Sequence, residues 1–462
     1  MTSARPASRP ATVPTGADVP RRVVGALVLG TLLNPLNSSM IAVALVQIQH
    51  EFDVGVVDAS WLISSFYLTS AVAQAVAGRL ADRLGARRVY CAGLVLVGLA
   101  GGLAPLSPSF GWVVAWRVVL ALGASACFPA ALAILRHVAG GQPPPRTLAA
   151  VTVAGSTSAA LGPVLGGGLI ALAGWEAIFV VNVAVLAVGL PLALRWLPRD
   201  GQRLDGLDAG AVRRLADVPG VVLFSGMLAG ALGLLLSLDE APAWWLAPVA
   251  AVCAVGFVAR ELRHPEPIVD LRALAANRAL VAVCAQYGAV NVAFYGIYFT
   301  LPLWLEGARG QTPGEAGLLM VPMAVTGVLV TPLAARVLRR AGIRTTLVTG
   351  SAALLAGTLL LAVVGDGTPV VALVAVGVVL GLPNGFNNLG LQSALYASAP
   401  REMIGAAAGI FQTARFVGAV LSTALIGLVF ASGIDSPGLH AIALALAAVA
   451  AATLAAALRR PA

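Results

Sequence analysis

A succession of long apolar runs, broken by short polar stretches, constrains this chain more than any single motif. A helix that crosses a bilayer needs about 20 predominantly apolar residues. Runs of that length occur at about 23–47, 59–78, 88–106, 110–135, 148–173, 177–197, 218–238, 243–260, 279–304, 315–335, 345–364, 369–390, 404–431 and 438–458. In lipid such runs must be helical, because the backbone has no other way to satisfy its N–H and C=O groups within one segment. A membrane β-barrel would instead alternate polar and apolar residues in segments of about 10 residues, and no such alternation occurs. The expected fold class is therefore an all-α integral membrane protein of fourteen transmembrane helices.

Composition agrees with this reading. Charged residues are 11% and hydrophobic residues 59% of the chain, against about 25% charged in soluble domains. A soluble enzyme, a disordered protein and a nucleic-acid binder are excluded on this ground. Fourteen spans would use about 280 residues, so the loops are short and leave no room for a large soluble domain. Residues 1–22 read as a Pro/Ala/Thr-rich disordered cytosolic tail, and the first apolar run is too long for a signal-peptide core. The two strongest polar breaks flank the seventh and eighth runs. The chain then divides into a first six-helix bundle (23–197), linkers carrying two inserted helices (198–278), a second six-helix bundle (279–458) and a short C-terminus (459–462).

The net charge of +9 resolves into topology. All 29 basic residues are arginine. With the N-terminus inside, 26 of them fall in cytosolic loops and tails, including Arg83, Arg87, Arg88, Arg213, Arg214, Arg336, Arg339 and Arg340. Only Arg309 lies in an outer loop. This is the positive-inside pattern, and it places both termini in the cytoplasm of a plasma (inner) membrane. The remaining two arginines, Arg117 and Arg415, fall within spans. The four cysteines (Cys91, Cys127, Cys253, Cys284) all lie in apolar runs and read as small core residues without a disulfide framework.

Two cytosolic turns resemble each other: Asp82-Arg83-Leu84-Gly85-Ala86-Arg87 and Arg339-Arg340-Ala341-Gly342-Ile343-Arg344. Both are basic and centred on glycine, as expected of two related halves with a binding site at their interface.

The stretch from Gly78 to Arg88 (Gly-Arg-Leu-Ala-Asp-Arg-Leu-Gly-Ala-Arg-Arg) resembles the loop signature of the major facilitator superfamily. Three further segments are similar to the fourteen-spanner drug/proton antiporter family within it. They are Gly162-Pro163-Val164-Leu165-Gly166-Gly167 in the fifth run, Gly174 to Asn182 leading into the sixth, and Pro267 to Arg272 before the ninth. The resemblance implies an exporter working by alternating access. Under it Gly78, Asp82, Arg83 and Gly85 form a cytosolic latch between the bundles. Gly162, Pro163, Gly166 and Gly167 form the antiporter hinge, and Arg117 takes part in proton transfer. Read without the family, the same residues would be a topology-fixing loop, a small-residue packing face and a charge facing a cavity or partner.

One departure matters for mechanism. The family carries an acidic residue in its first span, where this chain has Asn37. Asparagine cannot titrate, so coupling would use Glu306 or another carboxylate near an outer helix end, or run through water beside Arg117, or be absent. Without a buried carboxylate, and with two intramembrane arginines, a neutral or anionic amphipathic substrate is expected over a permanent cation. Polar and aromatic residues near the midplane are candidates to line the cavity: Asn34, Asn37, Ser38, Tyr67, Gln286, Tyr287, Asn291, Tyr295, Asn384, Asn387, Asn388, Gln412 and Arg415. No cofactor, metal or nucleic-acid partner is implied, no Walker-type phosphate loop occurs, and a monomer in the lipid bilayer is expected. The alternatives are an uncoupled facilitator or uptake carrier on the same fold and, more remotely, a non-transporting membrane sensor.

Overall fold

The computed structural model describes residues 19–140, 145–200, 217–237, 243–263, 272, 277–399 and 404–460. Most of the N-terminal tail, most of both linkers around the inserted helices and the Pro267 to Leu271 part of one family-like segment lie outside them. Fifteen α-helices of eight residues or more occur among the described residues. The first third of the chain forms α1 (Arg21–Met40), α2 (Leu45–Phe52), α3 (Val56–Leu84), α4 (Ala86–Leu103), α5 (Phe110–Ala139), α6 (Pro145–Ala173) and α7 (Ala177–Trp196). The inserted pair is α8 (Val218–Leu236) and α9 (Leu246–Glu261). The remainder forms α10 (Arg278–Gly307), α11 (Pro313–Leu329), α12 (Thr331–Leu361), α13 (Val370–Ser398), α14 (Ile404–Val429) and α15 (Ser436–Leu458).

Helix pairing repeats between the two halves. In the first, α1 packs on α6, α7 and α5, α3 on α5, and α4 on α5 and α7. In the second, α10 packs on α14, α15 and α13, α11 on α13, and α12 on α13 and α15. The order of partners is the same along both halves, the arrangement of an internal repeat. The matching turns are matched in backbone too. Gly85 between α3 and α4 has φ of 103°, and Gly342 inside α12 has φ of 79°. Each reverses the chain in a conformation that side chains avoid, so α12 is two helical segments meeting at Gly342.

The halves join along two seams, α6 against α11 and α3 against α14. The inserted α8 and α9 pack on each other, and α8 touches both α3 and α14. The buried end of that hairpin is held by Arg260, whose Nη2 lies 2.6 Å from Asp217 Oδ1.

Ten segments among the described residues are long and apolar enough to cross a bilayer, fewer than the fourteen runs of the sequence. The difference has identifiable sources. Pro313–Leu361 counts as one segment although it breaks at Gly342. The helices α6 (29 residues) and α8 (19 residues) contain residues whose side chains lie outside the described set, and α9 has only 16 residues.

Connections between successive long helices within each half are short, so neighbours there run antiparallel, and α10 meets α2 and the Ile41–Val43 turn of the first half. One end of the molecule, the near end, carries the start of α1. The far end carries the links from α2 to α3 and from α10 to α11.

Candidate functional site

Inside the first bundle, α1 is interrupted by Pro35, which lacks a backbone donor, and by a 3-10 turn at Ile41–Val43. Side chains occupy the carbonyls around the break. Ser38 and Ser39 hydroxyls donate to Pro35 O at 2.9 and 2.8 Å, and Asn37 Nδ2 donates to Leu33 O at 2.9 Å. The same Asn37 amide pairs reciprocally with Asn182 of α7, Nδ2 to Oδ1 at 2.7 Å in one direction and 2.9 Å in the other. Both residues are buried, at 2% and 1% exposure. Arg117 of α5, 1% exposed, donates from Nε to Leu62 O and from Nη1 to Asn37 O, both at 3.2 Å. Its guanidinium carbon lies 4.5 Å from the Phe66 ring centroid. An intramembrane charge needs such partners, and here they are two carbonyl dipoles and an aromatic face. Its Nη2 remains buried without a partner. Asn37 therefore faces α7 and Arg117 inside the bundle, because a buried amide needs amide or carbonyl partners and the neighbouring spans supply them.

A second cluster sits midway along the seam between the bundles. Tyr67 of α3 meets Tyr295 of α10 with ring centroids 4.9 Å apart, and lies 6.3 Å from Phe299 and 6.0 Å from Phe416. The Tyr295 hydroxyl accepts from Arg415 Nε at 2.9 Å and Nη2 at 2.8 Å. The Arg415 guanidinium also lies 5.8 Å from the Tyr295 ring and 6.0 Å from Phe416. The Tyr67 hydroxyl, beside Ser38, is buried without a hydrogen bond of normal geometry.

Toward the far end the bundles close further. Ser64 and Thr423 hydroxyls are 2.6 Å apart, and Tyr298 donates to Ala159 O at 3.0 Å. A Cβ added at Gly167 would lie 2.6 Å from Pro313 O, and one at Gly317 would lie 2.6 Å from Pro163 O. The glycine-proline motif of α6 thus lets α11 approach backbone to backbone. Its other face meets α1, where a Cβ at Gly166 would lie 2.9 Å from Val43, and one at Gly162 would overlap Ser39.

The other candidates divide. Asn34 is half-buried and donates to Ser125 Oγ at 2.9 Å and Ser70 Oγ at 3.3 Å. Gln412 and Arg415 are half-buried, and Asn388 is exposed and bonded to Asn384 one turn away. Asn387 turns to Ser351 of α12. Gln286 turns away from the seam, donating to Thr453 O of α15 at 3.1 Å and accepting from Arg460 at 2.9 Å. Tyr287 stacks on Phe411 at 3.6 Å, and Asn291 donates to Tyr287 O. In the near-end turn, Asp82 and Arg83 are exposed, and a Cβ at Gly78 would only graze Pro129. The acid that organises this turn is Asp200, beyond α7. Its carboxylate accepts the Arg87 and Arg88 backbone N–H groups at 3.1 and 3.0 Å, at the α4 N-terminus. Glu306, in the last turn of α10, is 8% exposed, and its Oε1 is buried without a hydrogen bond.

Sequence reasoning missed Asn182 and Asp200 as functional partners. Asn182 closes the segment beginning at Gly174, and an amide deep in a span calls for another amide. Asp200 is one of four aspartates in the arginine-rich break from Pro198 to Asp217, and nothing in the sequence singles it out or gives its distance from Gly85.

Residues 27–423 match the Major Facilitator Superfamily. The chain is 35% identical over 412 residues to the MFS-type transporter YwoD of Bacillus subtilis (strain 168), covering 89% of this chain and 90% of that protein. It is 31% identical over 425 residues to the tetracenomycin C resistance and export protein of Streptomyces glaucescens, covering 88% and 75%. Among solved structures, a mutant of the nucleoside transporter NupG superposes with a TM-score of 0.67 at 14% identity, over 95% of this chain and 99% of that one.

Proposed function

Since this chain belongs to the Major Facilitator Superfamily, a family of multi-pass membrane transporters, we propose that it exports small amphipathic molecules by alternating access and proton-driven antiport. One observation carries the reading. The two repeated bundles are joined at their midpoint and toward the far end, by Tyr67 against Tyr295 and by Ser64 against Thr423, and beside these by the close glycine contacts of α6 with α11, a seam able to part and reclose. In this reading the near end is cytoplasmic, as the arginine bias requires, and the conformation is closed toward the outside. The 49 residues of Pro313–Leu361 would extend about 74 Å as one helix, more than twice a hydrocarbon core. Dividing them at Gly342, and counting α6, α8 and α9 as spans, gives fourteen in a plasma membrane. Drug efflux is supported by the tetracenomycin C resistance and export protein among the relatives.

Arg415 at the seam midpoint supports a neutral or anionic substrate over a cation. Among the described residues no carboxylate pairs with it. Coupling is assigned to Glu306. Stepping 11 residues along α10 from Tyr295 turns about 20° beyond full turns, so Glu306 continues the face that Tyr295 and Phe299 present to Tyr67. Burial without a hydrogen bond to Oε1 favours its protonated form, and it exchanges that proton with the far side when the seam parts.

The test is flux in proteoliposomes with an imposed pH gradient, using naphthalenesulfonate as a permanently anionic probe and ethidium as a cationic one. Acidifying the compartment facing the far end should drive the anion into it, and an uncoupler should stop this. A second reading, an uncoupled facilitator, is favoured by Asn37, which stands sealed against Asn182 where a titrating group is expected. Flux indifferent to the gradient would select it.

A further inference from the structure

Arg415 is an unusual cation. It sits at the middle of a helix in the membrane domain, yet its partners are neutral: one tyrosine hydroxyl and two aromatic rings. Two of its three guanidinium nitrogens, Nε and Nη2, are committed to the Tyr295 hydroxyl. The third, Nη1, makes no hydrogen bond among the described residues and is not sealed from solvent. The guanidinium is therefore held in place on one edge and open on another. It contrasts with Arg117, whose 1% exposure and carbonyl bonds leave no approach for a ligand.

The surroundings of Arg415 are aromatic. Tyr295 and Phe299 stack at 5.9 Å with ring planes 14° apart, and Tyr67 contacts both and Phe416. The Tyr67 hydroxyl is buried beside Ser38 and Tyr295 without a hydrogen bond of normal geometry. Gln412, one turn before Arg415 on α14, is half-buried, and its side-chain amide makes no hydrogen bond with the described residues. The seam thus gathers aromatic rings packed on one another, one open cationic donor edge and the poorly satisfied Tyr67 hydroxyl, contributed by three helices from both bundles. Aromatic rings favour stacked or edge contacts with a planar ligand. A guanidinium matches a carboxylate or sulfonate in geometry and charge, and such bonds strengthen where water is scarce.

We propose that the Arg415–Tyr295–Tyr67 cluster is a binding seat for aromatic organic anions, with Arg415 holding the carboxylate or sulfonate and the rings holding the aromatic body. The proposal rests on the exporter reading and narrows its substrate class. A ligand so placed touches α3 of one bundle and α10 and α14 of the other. Its binding is thereby linked to the seam that must part during transport.

Binding to the purified, lipid-reconstituted full chain tests this without requiring transport. The probes are naphthalenesulfonate and its neutral analogue naphthalenesulfonamide, titrated by calorimetry. The wild type should bind the sulfonate at least about tenfold more tightly than the sulfonamide, a difference of about 1.4 kcal/mol. Arg415→Gln should abolish that preference while leaving sulfonamide binding intact, and Arg415→Lys should restore part of it. Sulfonamide binding also reports that the variant is folded. Equal affinity of the wild type for both probes, or an unchanged preference in Arg415→Gln, overturns the proposal. The exporter reading fails on different data, namely absence of gradient-driven flux for anion and cation alike.

Discussion

At the scale of single residues, the amide at position 37 defines the chemistry of the first bundle. Where the resembling family carries a carboxylate, this chain has an asparagine whose side chain and carbonyl are both engaged. Its side chain binds Asn182 and Leu33 O, and its carbonyl receives Arg117. Removing one partner strands the other, and an unsatisfied buried polar group costs about 1–3 kcal/mol. Asn182→Ala should therefore lower the thermal unfolding midpoint, and Asn37→Ala on top of it should cost little more, which a double-mutant cycle in detergent would read. Glu306 supplies the second prediction at this scale. Glu306→Gln keeps the shape of the carboxyl but cannot release a proton. It should abolish gradient-driven accumulation of naphthalenesulfonate in proteoliposomes while leaving exchange across equal pH intact. If accumulation persists, coupling runs elsewhere.

At the scale of helices, close approach and turn chemistry decide what can move. Gly317 lets α11 rest on the backbone of α6, and a Cβ there would stand 2.6 Å from Pro163 O. Gly317→Val should hold the far-end seam apart. A cysteine placed at Ser64 should then react faster with a membrane-impermeant maleimide than in the unmodified seam; unchanged labelling would mean that α6 and α11 do not set the closure. Asp200 caps α4 from across the bundle, and Asp200→Ala should destabilise the protein by about 1 kcal/mol, seen as a lower unfolding midpoint. Much of this level was legible in the sequence. The long apolar runs located the helices, and the paired basic turns marked Gly85 and Gly342 because a reversal between helices calls for a left-handed residue. Partners across the fold were not legible. Asn34, Tyr67, Tyr295 and Arg415 could be named as midplane polar groups, but only three-dimensional placement separates them from Gln286, which turns to α15. A residue's height along a span is readable from its number. Its direction around the helix depends on neighbours that hydropathy does not distinguish when every face is apolar.

For the whole molecule, the repeated pairing of helices explains how a small change at the middle can become a change of access. Each bundle packs extensively within itself, and the two meet mainly along the α6–α11 and α3–α14 seams, with α8 lying across the second. Rigid halves joined by small-residue seams can rock about the midpoint. The aromatic cluster around Arg415 lies there, and Ser64 and Thr423 close the far side. The account stands on that far-side seam opening in every cycle. The direct measurement replaces Ser64 and Thr423 by cysteine, in a chain whose four native cysteines are alanine, and follows naphthalenesulfonate flux in proteoliposomes before and after oxidation. The hydroxyls of the native pair are 2.6 Å apart, close enough for a disulfide to replace them. The account predicts that oxidation stops flux and that reduction restores it. Flux that continues undiminished through the oxidised pair would contradict it.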